Sequence, residues 1–186
     1  TKQKNKILAA AEKHRQRGAY EKAIRELNKI VQDDPRDVRT LLKIGDIQAK
    51  MGDREAATNM YRRVAEFHSE QGFFLKAVAV YKQILKTDPE QIEVVMKLAE
   101  LYEHLDLSSE SMQQYQNLAT HYEQIGNAKE AMAVLNRVVE LDPDNVAIRV
   151  RLAEAYSRDN MLAEAVEQFV IAAEMLKEQN RIGDYV

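Results

Sequence analysis

The sequence predicts an all-α fold, a solenoid of about ten antiparallel helices, and three observations predict it. The chain repeats itself: Pro35, Pro89 and Pro143 each follow an aspartate and stand 54 residues apart, and Ala23, Ala77 and Ala131 keep the same interval. Small residues recur in two further series, Ala11, Gly45, Ala65, Ala99, Ala119, Ala153 and Ala173 in one, Ala23, Ala57, Ala77, Ser111, Ala131 and Ala165 in the other. Helices cross closely only where side chains are small, so each series marks a crossing. Gly18, Gly52, Gly72, Asp106, Gly126, Asn160 and Asn180 form a third series, of residues that tolerate the left-handed backbone ending a helix.

The elements follow in order from this punctuation. Gly18 separates a helix over 4–17 from one over 20–33, which the Asp34-Pro35 step closes, because proline cannot continue a helix. Asp37 is the expected N-cap of the next helix, 38–51, and Asn145 has the same role 108 residues later. Gly52 and Gly72 bound 54–71, and Pro89 ends 74–87. The pattern then recurs as 92–105, 108–125, 128–141, 146–159 and 162–179. Residues 1–186 read as one solenoid domain: 1–37 is the tail of a unit, 38–91 and 92–145 are two complete units of three helices, and 146–186 is a truncated one.

Within the 54-residue unit runs a second period of 34, seen in Gly18 to Gly52 and Ala23 to Ala57. With starts at 4, 38, 58, 92, 112, 146 and 166, position 8 is small seven times out of seven. Position 20 is small until Tyr185, and position 24 reads Leu27, Tyr61, Tyr81, Tyr115, Leu135 and Phe169. The chain thereby resembles the tetratricopeptide repeat, a 34-residue helix–turn–helix unit. The departure is that alternate starts differ by 20, so the second helix of one repeat doubles as the first helix of the next. The resemblance implies a right-handed solenoid with a concave groove, a non-catalytic scaffold or adaptor, and a protein or peptide partner.

Composition removes several alternatives. The chain has no cysteine, which excludes disulfides, thiolate metal sites and cysteine nucleophiles. No apolar run approaches the ~18 residues of a membrane span, no signal peptide begins the chain, and cytoplasmic residence is the default expectation. A threonine at position 1 fits a piece of a longer protein. There is no phosphate loop or nucleophile elbow, and His14, His68, His104 and His121 lack the spacing of a helical zinc site. No enzyme activity, cofactor, metal or small-molecule substrate is expected. Residues 1–50 carry 13 lysines and arginines against 7 carboxylates, within an overall charge of −3. That basic start reads as a solvated helix face, with nucleic-acid binding as the lesser alternative because stacking aromatics are missing.

The resemblance also places candidate site residues, through positions 5 and 9 of each first helix. Leu8, Leu42, Met96, Val150 and Val170 stand at position 5, with Arg62 and Gln116 as the polar exceptions. Glu12, Asp46, Glu66, Glu100, Glu154 and Glu174 stand at position 9, with Thr120 as the exception. The expectation is an apolar stripe beside an acidic one, matched to a basic amphipathic segment of a partner. The chaperone-tail clamp of some family members is absent: its lysine and two asparagines are here Leu8, Glu12 and Lys43, and acidic position-9 residues would repel a carboxylate. A separate expectation is self-association through the open side of the last helix, at Phe169, Val170 and Leu176, giving a homo-oligomer.

Overall fold

The computed structural model describes residues 2–179. Among these, ten helices and no strand occur: α1 (Lys2–Gln16), α2 (Tyr20–Asp33), α3 (Val38–Met51), α4 (Arg54–Glu70), α5 (Phe74–Thr87), α6 (Ile92–His104), α7 (Ser108–Gln124), α8 (Ala128–Leu141), α9 (Val146–Arg158) and α10 (Leu162–Glu178). Asn180 and Tyr185 lie outside the described residues. The three 17-residue helices, α4, α7 and α10, begin at Arg54, Ser108 and Leu162, so the 54-residue interval of the sequence is also the interval of the elements. The chain forms two compact units, residues 1–97 and 98–186.

One device makes the tight helix-to-helix turns. Gly18, Gly52, Gly72 and Gly126 have φ between 71 and 82°, and Asp106 and Asn160 take φ of 56 and 60°. The following residue then points its N–H back to the carbonyl five residues earlier: Ala19 to His14, Asp53 to Gln48, Phe73 to His68, Leu107 to Tyr102, Asn127 to Tyr122 and Met161 to Tyr156, all at 2.8–3.0 Å. This satisfies carbonyls that a helix end leaves open. The longer joints use proline. Asp34, Asp88 and Asp142 have φ of −137, −141 and −138°, the extended conformation forced on a residue before proline. Asp37 then caps α3 by accepting from Thr40 N at 3.0 Å, and Asn145 caps α9 by accepting from Ile148 N at 3.2 Å.

In residues 1–97, α1 packs on α2, and α3, α4 and α5 pack in succession. Ala23, Ala57 and Ala77 are fully buried. At the α3–α4 crossing a Cβ on Gly45 would stand 2.8 Å from Cε1 of Tyr61. In residues 98–186, α7, α8, α9 and α10 pack in succession. Ala99, Ala119, Ala131 and Ala153 are fully buried. Ser111 keeps its hydroxyl at such a crossing by donating to the Ala99 carbonyl at 3.0 Å, which removes the cost of burying it unpaired. The two small-residue series therefore lie in the core, apart from Ala173, which is half-buried.

Candidate functional site: the α1–α3 cleft

In residues 1–97 a concavity lies between α1 and α3, with Leu27 of α2 also in its lining. It holds about 250 Å³ and is lined by Leu8, Ala11, Glu12, Arg15, Leu27, Lys43, Asp46, Ile47 and Lys50. The floor is apolar because the same residues belong to the core: Ala11, Leu27 and Ile47 are buried against Ala23 and Ile44, with Leu8 packed on that cluster. Helical spacing puts Leu8, Glu12 and Arg15 on one side of α1, and Lys43, Asp46 and Lys50 on the facing side of α3.

Both carboxylates of the cleft are already engaged. Glu12 accepts from Arg15 Nε at 2.9 Å and from its terminal nitrogen at 2.6 Å, and Gln16 adds a bond at 3.1 Å. The Arg15 hydrogen bonds bring the Glu12 carboxyl down to about 2, so it stays ionised. Asp46 accepts from the Tyr61 hydroxyl at 2.7 Å across the α3–α4 crossing. Burial, followed by this bond to a carboxylate, pushes the Tyr61 phenol up to about 12. Lys43 and Lys50 are exposed; Lys43 acts on Glu12 through its charge, and neither lysine donates a side-chain hydrogen bond among the described residues. The Tyr61 bond engages only Oδ1 of the exposed Asp46, so the cleft presents charges of both signs.

The remaining candidates do not join this cleft. Leu42, Met96 and Val150 are half-buried and do not line it. Arg62 is paired with Glu93 at 2.9 Å and with Gln91 at 3.1 Å. Glu66 borders a different hollow, with Pro35, Arg36, Leu41, Arg63, Phe67 and Glu70. The reason is the double use of α4: as partner of both α3 and α5, it turns position 9 of its own repeat toward the start of α3.

Glu100 and Glu154 belong to the second unit. Glu100 borders a hollow with Glu103, His104, Tyr115 and Arg137, and Glu154 pairs with Arg158 on an exposed surface. Within that hollow Glu103 accepts from Arg137 and Tyr115, and the Arg137 bond is the main cause holding its carboxyl below the ordinary 4.5. These position-9 carboxylates thus serve four separate places, and only Glu12 and Asp46 share one.

Residue types and spacing alone missed Arg15, Lys43 and Lys50. They sit at repeat positions 12, 6 and 13, and only the pairing of α1 with α3 brings them to one mouth. On α10, Phe169 and Val170 are exposed, at 42% and 50%, beside Leu162 and Val166, while Leu176 is half-buried. No group of three or more metal-ligating side chains occurs among the described residues. No helix among them is long and apolar enough to cross a membrane.

Family models of the tetratricopeptide repeat match residues 39–70 and 93–145, and a second such model matches 122–174. The chain belongs to the tetratricopeptide repeat family. Repeats of this kind build protein-interaction scaffolds.

Among solved structures, a crystal structure of the MamA protein is similar at 19% identity, over 96% of this chain and 94% of that one, with a TM-score of 0.35. MamA 41-end from Desulfovibrio magneticus RS-1 is similar at 16% identity, over 96% and 98%, with a TM-score of 0.37. The TPR2AB domain of yeast Sti1, in its pHSP90 complex, is similar at 17% identity, over 96% and 92%, with a TM-score of 0.36. No curated protein matches the chain.

Proposed function

We propose that the chain is a non-catalytic scaffold that holds a segment of a partner protein in the α1–α3 cleft. The observation that carries this reading is the combination of an apolar floor, at Leu8, Ala11, Leu27 and Ile47, with exposed charged groups at the rim, Lys43, Asp46 and Lys50. Such a site gives an apolar anchor its affinity and lets the charges set register and rate. The test is affinity capture from a lysate with wild type and with Leu8→Lys, which places a charge on the floor at a half-buried position. The reading expects a protein held by wild type and lost by the variant, with the thermal midpoint of the variant close to that of wild type. Equal capture by both would refute it.

A second reading rests on α10, where Leu162, Val166, Phe169 and Val170 are between 42% and 63% exposed along one face. Their counterparts on α4 and α7 at the Phe169 position, Tyr61 and Tyr115, are 1% and 4% exposed. In this reading the face joins a second copy of the chain. Sedimentation should then show mass rising with concentration, and Phe169→Glu should abolish the rise.

A further inference from the structure

α1, α4, α7 and α10 recur at the 54-residue interval, and Ile7, Tyr61, Tyr115 and Phe169 occupy one column of them. α4 packs on both α3 and α5, and Tyr61 is buried; α7 packs on α8, and Tyr115 is buried. α1 packs on α2 and α10 on α9, and in that column Ile7 is half-buried and Phe169 exposed. The first and last of these helices thus keep open part of a face that the inner ones bury.

The two open faces carry opposite charge. On α10 the exposed Leu162, Val166, Phe169 and Val170 are flanked by Glu164, Glu167, Glu174 and Glu178, which are also exposed and whose spacing puts them on one side of the helix. Lys177 is the one cation of that helix. On α1 the half-buried Ile7 and Ala10 are flanked by Lys2, Lys6 and Lys13, exposed and again on one side. The other lysine of α1, Lys4, is engaged by Asp37, and Arg15 by Glu12.

We infer that α10 of one copy packs on α1 of a second copy, with the lysine flank of one along the glutamate flank of the other. The inference rests on the self-association reading and adds the surface that meets α10. Charge opposes the symmetric alternative, α10 against its own counterpart, because that contact brings two rows of glutamates together. The two docking faces differ, so a pair of chains keeps one free face of each kind, and further copies can add. The α1 face is also separate from the cleft. Leu8, Ala11, Glu12 and Arg15 line the cleft, whereas Ile7, Ala10 and the three exposed lysines do not.

The experiment uses the full chain and two double variants. Phe169→Glu with Val170→Glu closes the α10 face, and Lys6→Glu with Lys13→Glu reverses the charge of the α1 face. All four positions are exposed, so both variants should melt close to wild type. In sedimentation velocity at low salt, the mass of wild type should grow with concentration past a pair of chains, and added salt should reduce it. Each variant alone should remain a single chain. Mixed in equal amounts, the two variants hold one intact α10 face and one intact α1 face between them. They should form a pair that grows no further.

A Lys6→Glu, Lys13→Glu chain that assembles as wild type does would overturn the inference and leave self-association standing, since α10 would then meet a surface other than α1. A mixture in which no pair forms would overturn it as well. Wild type that stays a single chain at every concentration would remove the self-association reading together with the inference. A charge exchange guards against variants that fail for want of stability. Glu167→Lys with Glu174→Lys should stay a single chain alone and assemble again when mixed with Lys6→Glu, Lys13→Glu. Absence of that recovery would overturn the pairing of α10 with α1.

Discussion

Gly45→Ala sets two effects of opposite sign against each other. Glycine inside an exposed helix costs ~1 kcal/mol relative to alanine, so the substitution would ordinarily stabilise α3. At this site the new methyl would lie 2.8 Å from Cε1 and 3.1 Å from Cδ1 of Tyr61, and 3.3 Å from Cβ of Met60. The Tyr61 ring has little room to withdraw: it is 1% exposed and its hydroxyl is tied to Asp46 on the same helix as Gly45. Overpacking of a filled crossing costs ~1–3 kcal/mol.

The expected net result is destabilisation of about 1 kcal/mol, because a clash below 3 Å against a pinned ring outweighs the propensity gain. Chemical denaturation of wild type, Gly45→Ala, Tyr61→Leu and the double variant measures it. In the Tyr61→Leu background the ring is gone and Gly45→Ala should become neutral or stabilising, giving a coupling of ~1–2 kcal/mol between the two sites. A wild-type background in which Gly45→Ala stabilises by ~1 kcal/mol would refute the close crossing.

Three other predictions use the same logic. Ala131→Leu, at a position with no exposure, should cost ~1–3 kcal/mol or more in the same assay, as should Ala77→Leu. Asp37→Ala should cost ~1–2 kcal/mol, because Thr40 N loses its acceptor and Lys4 its partner, whereas Asp37→Asn keeps the cap and should cost less.

Burial raises the Asp37 carboxyl, but the bonds from Lys4 and Thr40 outweigh it and hold the group below its ordinary 3.8. Its contribution is therefore present above pH 3.8 and lost as pH falls through the lower folded value. His68 shows the same direction near neutrality. Burial between Phe67 and Phe73, and then the charge of Lys76, hold it below its ordinary 6.5. The unfolded chain takes up the proton first, so stability should decline as pH drops below about 6.5, and His68→Gln should flatten that decline in a melting series.

Most of the fold was legible because its signals are local. A left-handed residue, an Asp-Pro step and an N-cap each act within a few positions, so the expected 20–33, 38–51, 74–87 and 128–141 coincide with the observed helices, and the other six bounds shift by one or two residues. The small-residue series was legible because a crossing tolerates nothing larger. The site was less so. Leu8, Glu12 and Asp46 do meet in one cleft, but whether a carboxylate is free depends on a partner elsewhere: Tyr61 reaches Asp46 from 15 residues away, and no spacing within α3 announces that bond. Glu66 parts from Glu12 and Asp46 because α4 serves two neighbours, a three-dimensional consequence of the 20-residue offset.

The most direct test of the scaffold reading is site-specific photocrosslinking in a lysate. A benzophenone side chain is placed at Leu8 in one variant and at Phe169 in another. The cleft reading predicts a partner adduct at Leu8, with the attached peptide identified by mass, and a weaker or different pattern at Phe169. Adducts confined to Phe169, with none at Leu8, would contradict it and move the interaction surface to α10.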